Sequence, residues 1–93
     1  MGAEFEFEWD DAKAASNLVK HSVTFRFATA VFLDPQVVIE DTTRDEDGEQ
    51  RQKAIGQIGE KLYAVIFTVK GDIYRLISAR RTNPKEDRIY GDR

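Results

Sequence analysis

Cysteine is absent from this chain of 93 residues, histidine occurs once and proline twice. Without thiols, disulfides, iron–sulfur clusters, zinc knuckles and thiol catalysis are excluded. A single imidazole, His21, and the lack of an HExxH segment leave no basis for a catalytic zinc site. No Walker A or dinucleotide-binding fingerprint is present either, so neither a metal nor a cofactor is expected. Long apolar runs are missing too. The stretch from Leu62 to Val69 is less than half of the roughly 20 residues that span a bilayer, so no membrane association is expected. No basic segment followed by a long apolar stretch opens the chain, which points to no secretory signal and a cytoplasmic location. Linker-like composition and internal repeats are absent, and a second core would need roughly another 50 residues. Residues 1–93 are therefore expected to form one domain, with residues 1–4 a flexible start.

What is present is a well-solvated but core-forming composition, 41% hydrophobic and 33% charged. The net charge of −3 hides a segregation. Residues 1–50 carry four basic side chains (Lys13, Lys20, Arg26, Arg44) against twelve acidic ones, a balance of −8. Residues 51–93 carry ten basic against five acidic, a balance of +5. A basic face on an acidic molecule is the footprint of a phosphate-binding site. Basic residues decorating exposed sheet positions give the same count.

The hydrophobic pattern orders the elements. Glu4 to Trp9 alternates strictly and reads as a strand with Phe5, Phe7 and Trp9 inward. Asp10 suits an N-cap, and Asp11 to His21 reads as a helix with Ala14, Ala15, Leu18 and Val19 as its apolar stripe. Thr24 caps a second helix, in which Phe25, Ala28, Val31 and Phe32 keep helical spacing up to Asp34-Pro35. Val37 to Ile39 is β-branched, and Asp41 to Gln50 reads as a polar loop. Residues 51–58, Lys61 to Val69 and Ile73 to Arg80 form a meander, with turns at Gly59-Glu60 and Lys70-Gly71-Asp72. Asn83-Pro84-Lys85-Glu86 is a capping box with proline in the first turn, opening a last helix to about Tyr90. The order β-α-α-β-β-β-β-α is an α+β domain with a mainly antiparallel sheet, two N-terminal helices and one C-terminal helix. Lys61 to Val69 is apolar on both parities, so its second face needs the last helix or a partner chain.

Among possible sites, Asp45-Glu46-Asp47-Gly48 does not fit a calcium loop, because Ala54 falls where the bidentate glutamate belongs. Gly56-Gln57-Ile58-Gly59 matches the letters of a GxxG clamp but lies between strands, so it reads as turn and bulge. The basic cluster is more informative: Arg75, Arg80, Arg81, Lys85 and Arg88, with Arg51 and Lys53 on a neighbouring strand. By alternation Arg75 and Arg81 share a face with Ile73 and Ile77. Arg80 and Arg81 precede a capped helix start, whose free N–H groups favour phosphate. Arginine forks there suit RNA phosphates or the charge of a pentacovalent phosphorane. Salt bridges from Glu86 and Asp87 to these arginines are the competing reading. His21, at the end of the first helix, suits proton transfer near neutrality, or equally an interaction with the free carbonyls of the helix end.

Phe7-Glu8-Trp9-Asp10, Lys13, Asn17, Lys20-His21, Phe25, Ala28, Val31-Phe32 and Asp34 together resemble the BrnT-type toxins. Arg51, Ile55-Gly56, Tyr63 to Thr68, Arg75 to Arg80, Glu86 and Tyr90 extend the resemblance from about Phe5 to Tyr90. It departs at Ser22, where glycine is associated with the family, in the acidity of the loop Asp41 to Glu49, and at Pro84. The resemblance implies a RelE-like fold and a ribonuclease that arrests translation. It further implies neutralisation by a ribbon–helix–helix antitoxin of the BrnA kind in a hetero-oligomer, which reaches operator DNA only through the antitoxin. The mechanism it suggests is metal-independent attack of a ribose 2′-hydroxyl on the adjacent phosphate. Arg80 and Arg75 would stabilise the phosphorane, with Arg51 and Arg81 on the RNA backbone beside Lys53, Lys85 and Arg88. Glu86, His21 or Tyr90 would move the proton. Two rivals are an inactive corepressor bound to its antitoxin and a sequence-tolerant RNA-binding module.

Overall fold

Alternating Glu6-Phe7-Glu8-Trp9 folds as strand β1 (Glu6–Trp9), its two rings half-buried and its two carboxylates exposed. The computed structural model describes residues 6–43 and 50–92. Glu4 and Phe5 of the expected strand, the start at residues 1–4 and most of the acidic loop lie outside the described residues. Asp10 caps α1 (Asp11–His21), its carboxylate accepting from the Ala12 N–H at 2.7 Å. Helix α1 ends on Ser22, which takes the left-handed conformation (φ 58°) and donates its N–H to the Leu18 carbonyl at 2.9 Å. This is the position glycine usually fills, because a Cβ is disfavoured there. The serine keeps the ordinary helix end at the cost of local strain.

Thr24 accepts from the Phe27 N–H at 3.1 Å and opens α2 (Phe25–Ala28). The single helix expected up to Asp34 is instead a short α-helix followed by a 3₁₀ turn, Thr29–Leu33. The buried residues Phe25, Ala28 and Val31 recur every third position, and three residues per turn keeps all of them on one face. Strands β2 (Val38–Asp41), β3 (Gln52–Ile58), β4 (Lys61–Lys70) and β5 (Ile73–Arg81) follow, with Gly59 (φ 64°) and Gly71 (φ 62°) turning the two hairpins. The capping box forms as the spelling requires. Glu86 N–H donates to Asn83 Oδ1 (2.9 Å) and Asn83 N–H to Glu86 Oε1 (3.0 Å), opening α3 (Pro84–Gly91).

The sheet order is β1-β5-β4-β3-β2, antiparallel except for the parallel pair β1 and β5. The meander is as expected, and the first strand makes the sheet mixed. One face carries the core of Val23, Phe25, Ala28, Val31, Ala54, Val65, Phe67, Leu76 and Ala79, under α1, α2 and the 3₁₀ turn. Burying a ring such as Phe25 or Phe67, each 1% exposed, contributes about 2–3 kcal/mol. Close packing extends to the backbone, since a Cβ on Gly56 would meet the Val31 carbonyl oxygen at 2.9 Å.

Of the apolar stripe expected on α1, only Ala14 packs against the core. Leu18 is 48% and Val19 85% exposed, whereas Asn17 is buried. The cause lies in β5, whose ladder with β1 stops at Leu76, so that the edge beyond it has backbone groups to satisfy. Asn17 supplies both partners. Its Nδ2 donates to the Ala79 carbonyl (2.7 Å) and its Oδ1 accepts from the Ala79 N–H (3.0 Å). An amide side chain thus continues the sheet where the strand ends, and a second Nδ2 bond to the Val23 carbonyl (3.0 Å) ties in the following loop.

Candidate nucleic-acid interface

The sheet face opposite the core is here the open face, although its Ile55 and Ala64 (0% and 1% exposed) are buried at the end beside α3, as expected of the last helix. It is set by an irregularity in β5. Ile66 pairs with Ser78 but Phe67 with Leu76, so Ile77 is an extra, bulged residue. A bulge switches the alternation. Arg75, Ser78 and Arg80 therefore share the open face, opposite Thr68, Ile66 and Ala64, while Arg81 falls on the core face opposite Tyr63. This corrects the expectation that Arg75 and Arg81 lie together. Arg81 instead sits over the Tyr63 ring (5.5 Å to its centroid) and donates from Nε to the Leu62 carbonyl at 3.2 Å.

On the open face Arg80 forms a two-pronged bond with Glu86, Nη1 to Oε1 and Nη2 to Oε2, both 2.8 Å. Lys53, on β3, adds a bond from Nζ to Oε2 at 2.8 Å and lies 3.7 Å from Glu40. Burial pushes the Glu86 carboxyl up, but the bonds from Arg80, Lys53 and the Asn83 N–H outweigh it and hold its pKa at about 2. Hydrogen bonding to Glu86 in turn raises the Arg80 guanidinium, against the effect of burial. The ion-pair reading of the basic cluster is thus realised for Glu86. Asp87 is not part of it; its carboxylate accepts from the Thr82 hydroxyl. A carboxylate with so low a pKa is a poor proton acceptor near neutrality, and its geometry fits the positioning of Arg80 and Lys53.

Arg75 is held differently. Its Nη1 donates to Glu8 on β1 at 2.9 Å, with both side chains nearly half exposed. Such a pair is worth about 0–1 kcal/mol, so an incoming phosphate can displace it. Glu8 and Arg75, with Gln50, Thr68, Val69 and Lys70, line a pocket of about 580 Å³. Arg51 lies one residue beyond the paired Gln52 on β3, and its buried Nε has no hydrogen-bond partner among the described residues. Arg75 and Arg80 stand opposite Thr68 and Ala64, four residues apart on β4, or about 13 Å along the strand. One phosphate does not span that gap; successive phosphates of a strand do.

His21 is not part of this cluster but lies at its margin. It lines a pocket of about 250 Å³ between α1 and β5, together with Lys13, Ser16, Asn17, Lys20, Ile77 and Ser78. Ser78 joins that pocket to the open face, in the row between Arg75 and Arg80. Tyr90 serves elsewhere. Its hydroxyl donates to Asp34 Oδ2 at 2.6 Å, and the same oxygen accepts from the Gln57 N–H at 2.8 Å, latching α3 to the end of the 3₁₀ turn. Lys85 and Arg88 are exposed on α3. Among the described residues no three His, Asp or Glu side chains come together as a metal-binding group.

The structure thus brings together Arg75, Arg80, Lys53 and Glu86 on one face, with His21 at its margin, and sets Arg81 and Tyr90 apart. Sequence reasoning missed Ser78, Glu8 and the pocket role of Lys13 and Lys20. The signal for the lysines was legible: seven residues apart in a helix, they share a face.

The model of one protein family, described as the ribonuclease toxin BrnT of type II toxin–antitoxin systems, matches residues 9–86. None of the curated proteins compared with the chain matches it.

Proposed function

The chain belongs to the family of BrnT ribonuclease toxins of type II toxin–antitoxin systems, and from that premise we propose an active, metal-independent endoribonuclease, RelE-like in architecture, whose RNA strand lies along the open face. The observation that carries this reading is the bulge at Ile77, which turns Arg75, Ser78 and Arg80 to one face beside Lys53. Arg75 and Arg51 take one backbone phosphate, and Arg80 with Lys53 takes another. Glu86 holds the latter two cations in place. The 2′-hydroxyl oxygen attacks the adjacent phosphorus and the bond from phosphorus to the 5′ oxygen breaks, leaving a 2′,3′-cyclic phosphate and a 5′-hydroxyl. The 2′ proton passes to a base and the 5′ oxygen gains one. His21 suits the exchange better than Glu86, whose pKa is too low, or Tyr90, whose hydroxyl is committed to Asp34. Lys85, Arg88 and Arg81 lie outside this path.

A type II toxin implies an antitoxin partner. We take it to be a ribbon–helix–helix protein that occludes the open face in the cytoplasm and carries the complex to operator DNA. A second reading, an inactive corepressor, is favoured by one observation: Arg75 and Arg80 are each already paired with a carboxylate. Purified protein incubated with unstructured RNA in EDTA, followed by mapping of the ends, separates the two. Cyclic phosphate and 5′-hydroxyl ends, lost with Arg75→Ala under the same purification, support the enzyme. Intact RNA alongside retained antitoxin binding supports the corepressor.

A further inference from the structure

Phosphorane stabilisation needs uncompensated positive charge at the reacting phosphorus. The open face offers little beyond Arg51 at its edge. Lys53, Arg80 and Arg75 there are met by Glu86, Glu40 and Glu8. The pocket between α1 and β5 differs in kind. Lys13, Lys20 and His21 line it with Ser16 and Ser78, and among the described residues no carboxylate does. Neither lysine nor the imidazole makes a side-chain hydrogen bond or ion pair among the described residues. Two of the four basic side chains in the acidic half of the chain are thus gathered at one concavity. Lys13 and Lys20 are about 10 Å apart along the helix, room for one phosphate group between two flexible ammonium arms.

Position strengthens the case. Ser78 is paired with Ile66, two residues along β4 from the Thr68 row of Arg75 and two from the Ala64 row of Arg80. A strand running from Arg75 to Arg80 therefore passes the mouth of this pocket midway, about 7 Å from each row. The paired arginines then hold the flanking phosphates, and the one between them reaches the free lysines.

We infer that the pocket formed by Lys13, Ser16, Lys20, His21 and Ser78 is the seat of the scissile phosphate, with Lys13 and Lys20 supplying the charge that the phosphorane requires. This rests on the ribonuclease reading for its chemistry, but not for the site itself. As the sole histidine, His21 gives a single imidazole Cε1–H resonance, a direct reporter of the pocket.

The test titrates the protein with a 2′-O-methyl RNA tetranucleotide, whose three phosphates span the arginines and the pocket and which binds but cannot be cleaved, and follows that resonance. A saturable shift is expected, lost in the Lys13→Ala/Lys20→Ala double variant and retained in Arg26→Ala. The slope of log affinity against log salt should fall by about 0.7 in the double variant, for one lost single-strand phosphate contact. Both lysines are exposed, so far-ultraviolet circular dichroism should match the wild type. With cleavable RNA, single-turnover cleavage should fall about 100-fold in Lys20→Ala, and Lys20→Arg should restore part of it. The proposal is overturned if the tetranucleotide binds without moving the His21 resonance, if it does not bind, or if the double variant cleaves within threefold of wild type. A saturable His21 shift in a protein that never cleaves would leave the phosphate seat standing and sink the ribonuclease reading instead.

Discussion

Replacing Glu86 by glutamine tests whether the buried carboxylate is the clasp that holds Arg80 and Lys53. Glutamine stands in for the protonated acid. Its Oε1 can still accept from the Asn83 N–H, so the helix cap survives while the charge is lost. Moving the carboxyl from its ordinary 4.5 to about 2 corresponds to about 3 kcal/mol of native-state stabilisation at neutral pH. The side chains of Arg80 and Lys53 are 31% and 17% exposed, and solvent screening brings the figure to about 2 kcal/mol. Because the folded pKa is the depressed one, this stability is fully present above 4.5 and is lost as pH falls toward 2. At pH 3 the native carboxyl is still mostly ionised and the unfolded one mostly protonated, which leaves about 1 kcal/mol. Urea unfolding of wild type and Glu86→Gln at pH 7 and pH 3 reads the deficit directly, because the other carboxylates cancel in the comparison. A deficit of about 2 kcal/mol that halves at pH 3 supports the clasp. One below about 0.5 kcal/mol at pH 7, or equal at both pH values, would refute the reasoning.

Three further substitutions probe what places the site. Ser22→Gly should stabilise by about 1 kcal/mol, because it removes the cost of a Cβ at φ 58°; a lower melting temperature would show that the serine hydroxyl matters more than the backbone. Asn17→Leu leaves the Ala79 N–H and carbonyl without their partners. It should cost about 2–3 kcal/mol, or more than 8 °C in Tm, and a change within 2 °C would mean that water replaces the amide. Tyr90→Phe removes the bond to Asp34 and should cost about 1 kcal/mol while RNA cleavage persists; loss of cleavage in a stably folded variant would return Tyr90 to the chemistry.

Local chemistry was legible because it is spelled within a few residues. Asp10 capping α1, the Asn83–Glu86 box and the glycine hairpins each follow from contacts between near neighbours, and the structure has them where the spelling puts them. Asn17 could not be read that way. A polar side chain between Ser16 and Leu18 looks solvent-facing, and its burial depends on a strand edge 62 residues later. The bulge at Ile77 is of the same kind. Within Ile73–Arg81 strict alternation sets Arg75 and Arg80 on opposite faces, and no glycine marks a break. The break falls where β1 stops pairing with β5, at Leu76, and before Asn17 takes over the edge at Ala79. The same handover docks α1 against β5 and so brings Lys13, Lys20 and His21 beside Ser78. The arginines of the open face and the lysines of α1 therefore come together through a single structural event, and weakening Asn17 should disturb both sets of cations at once.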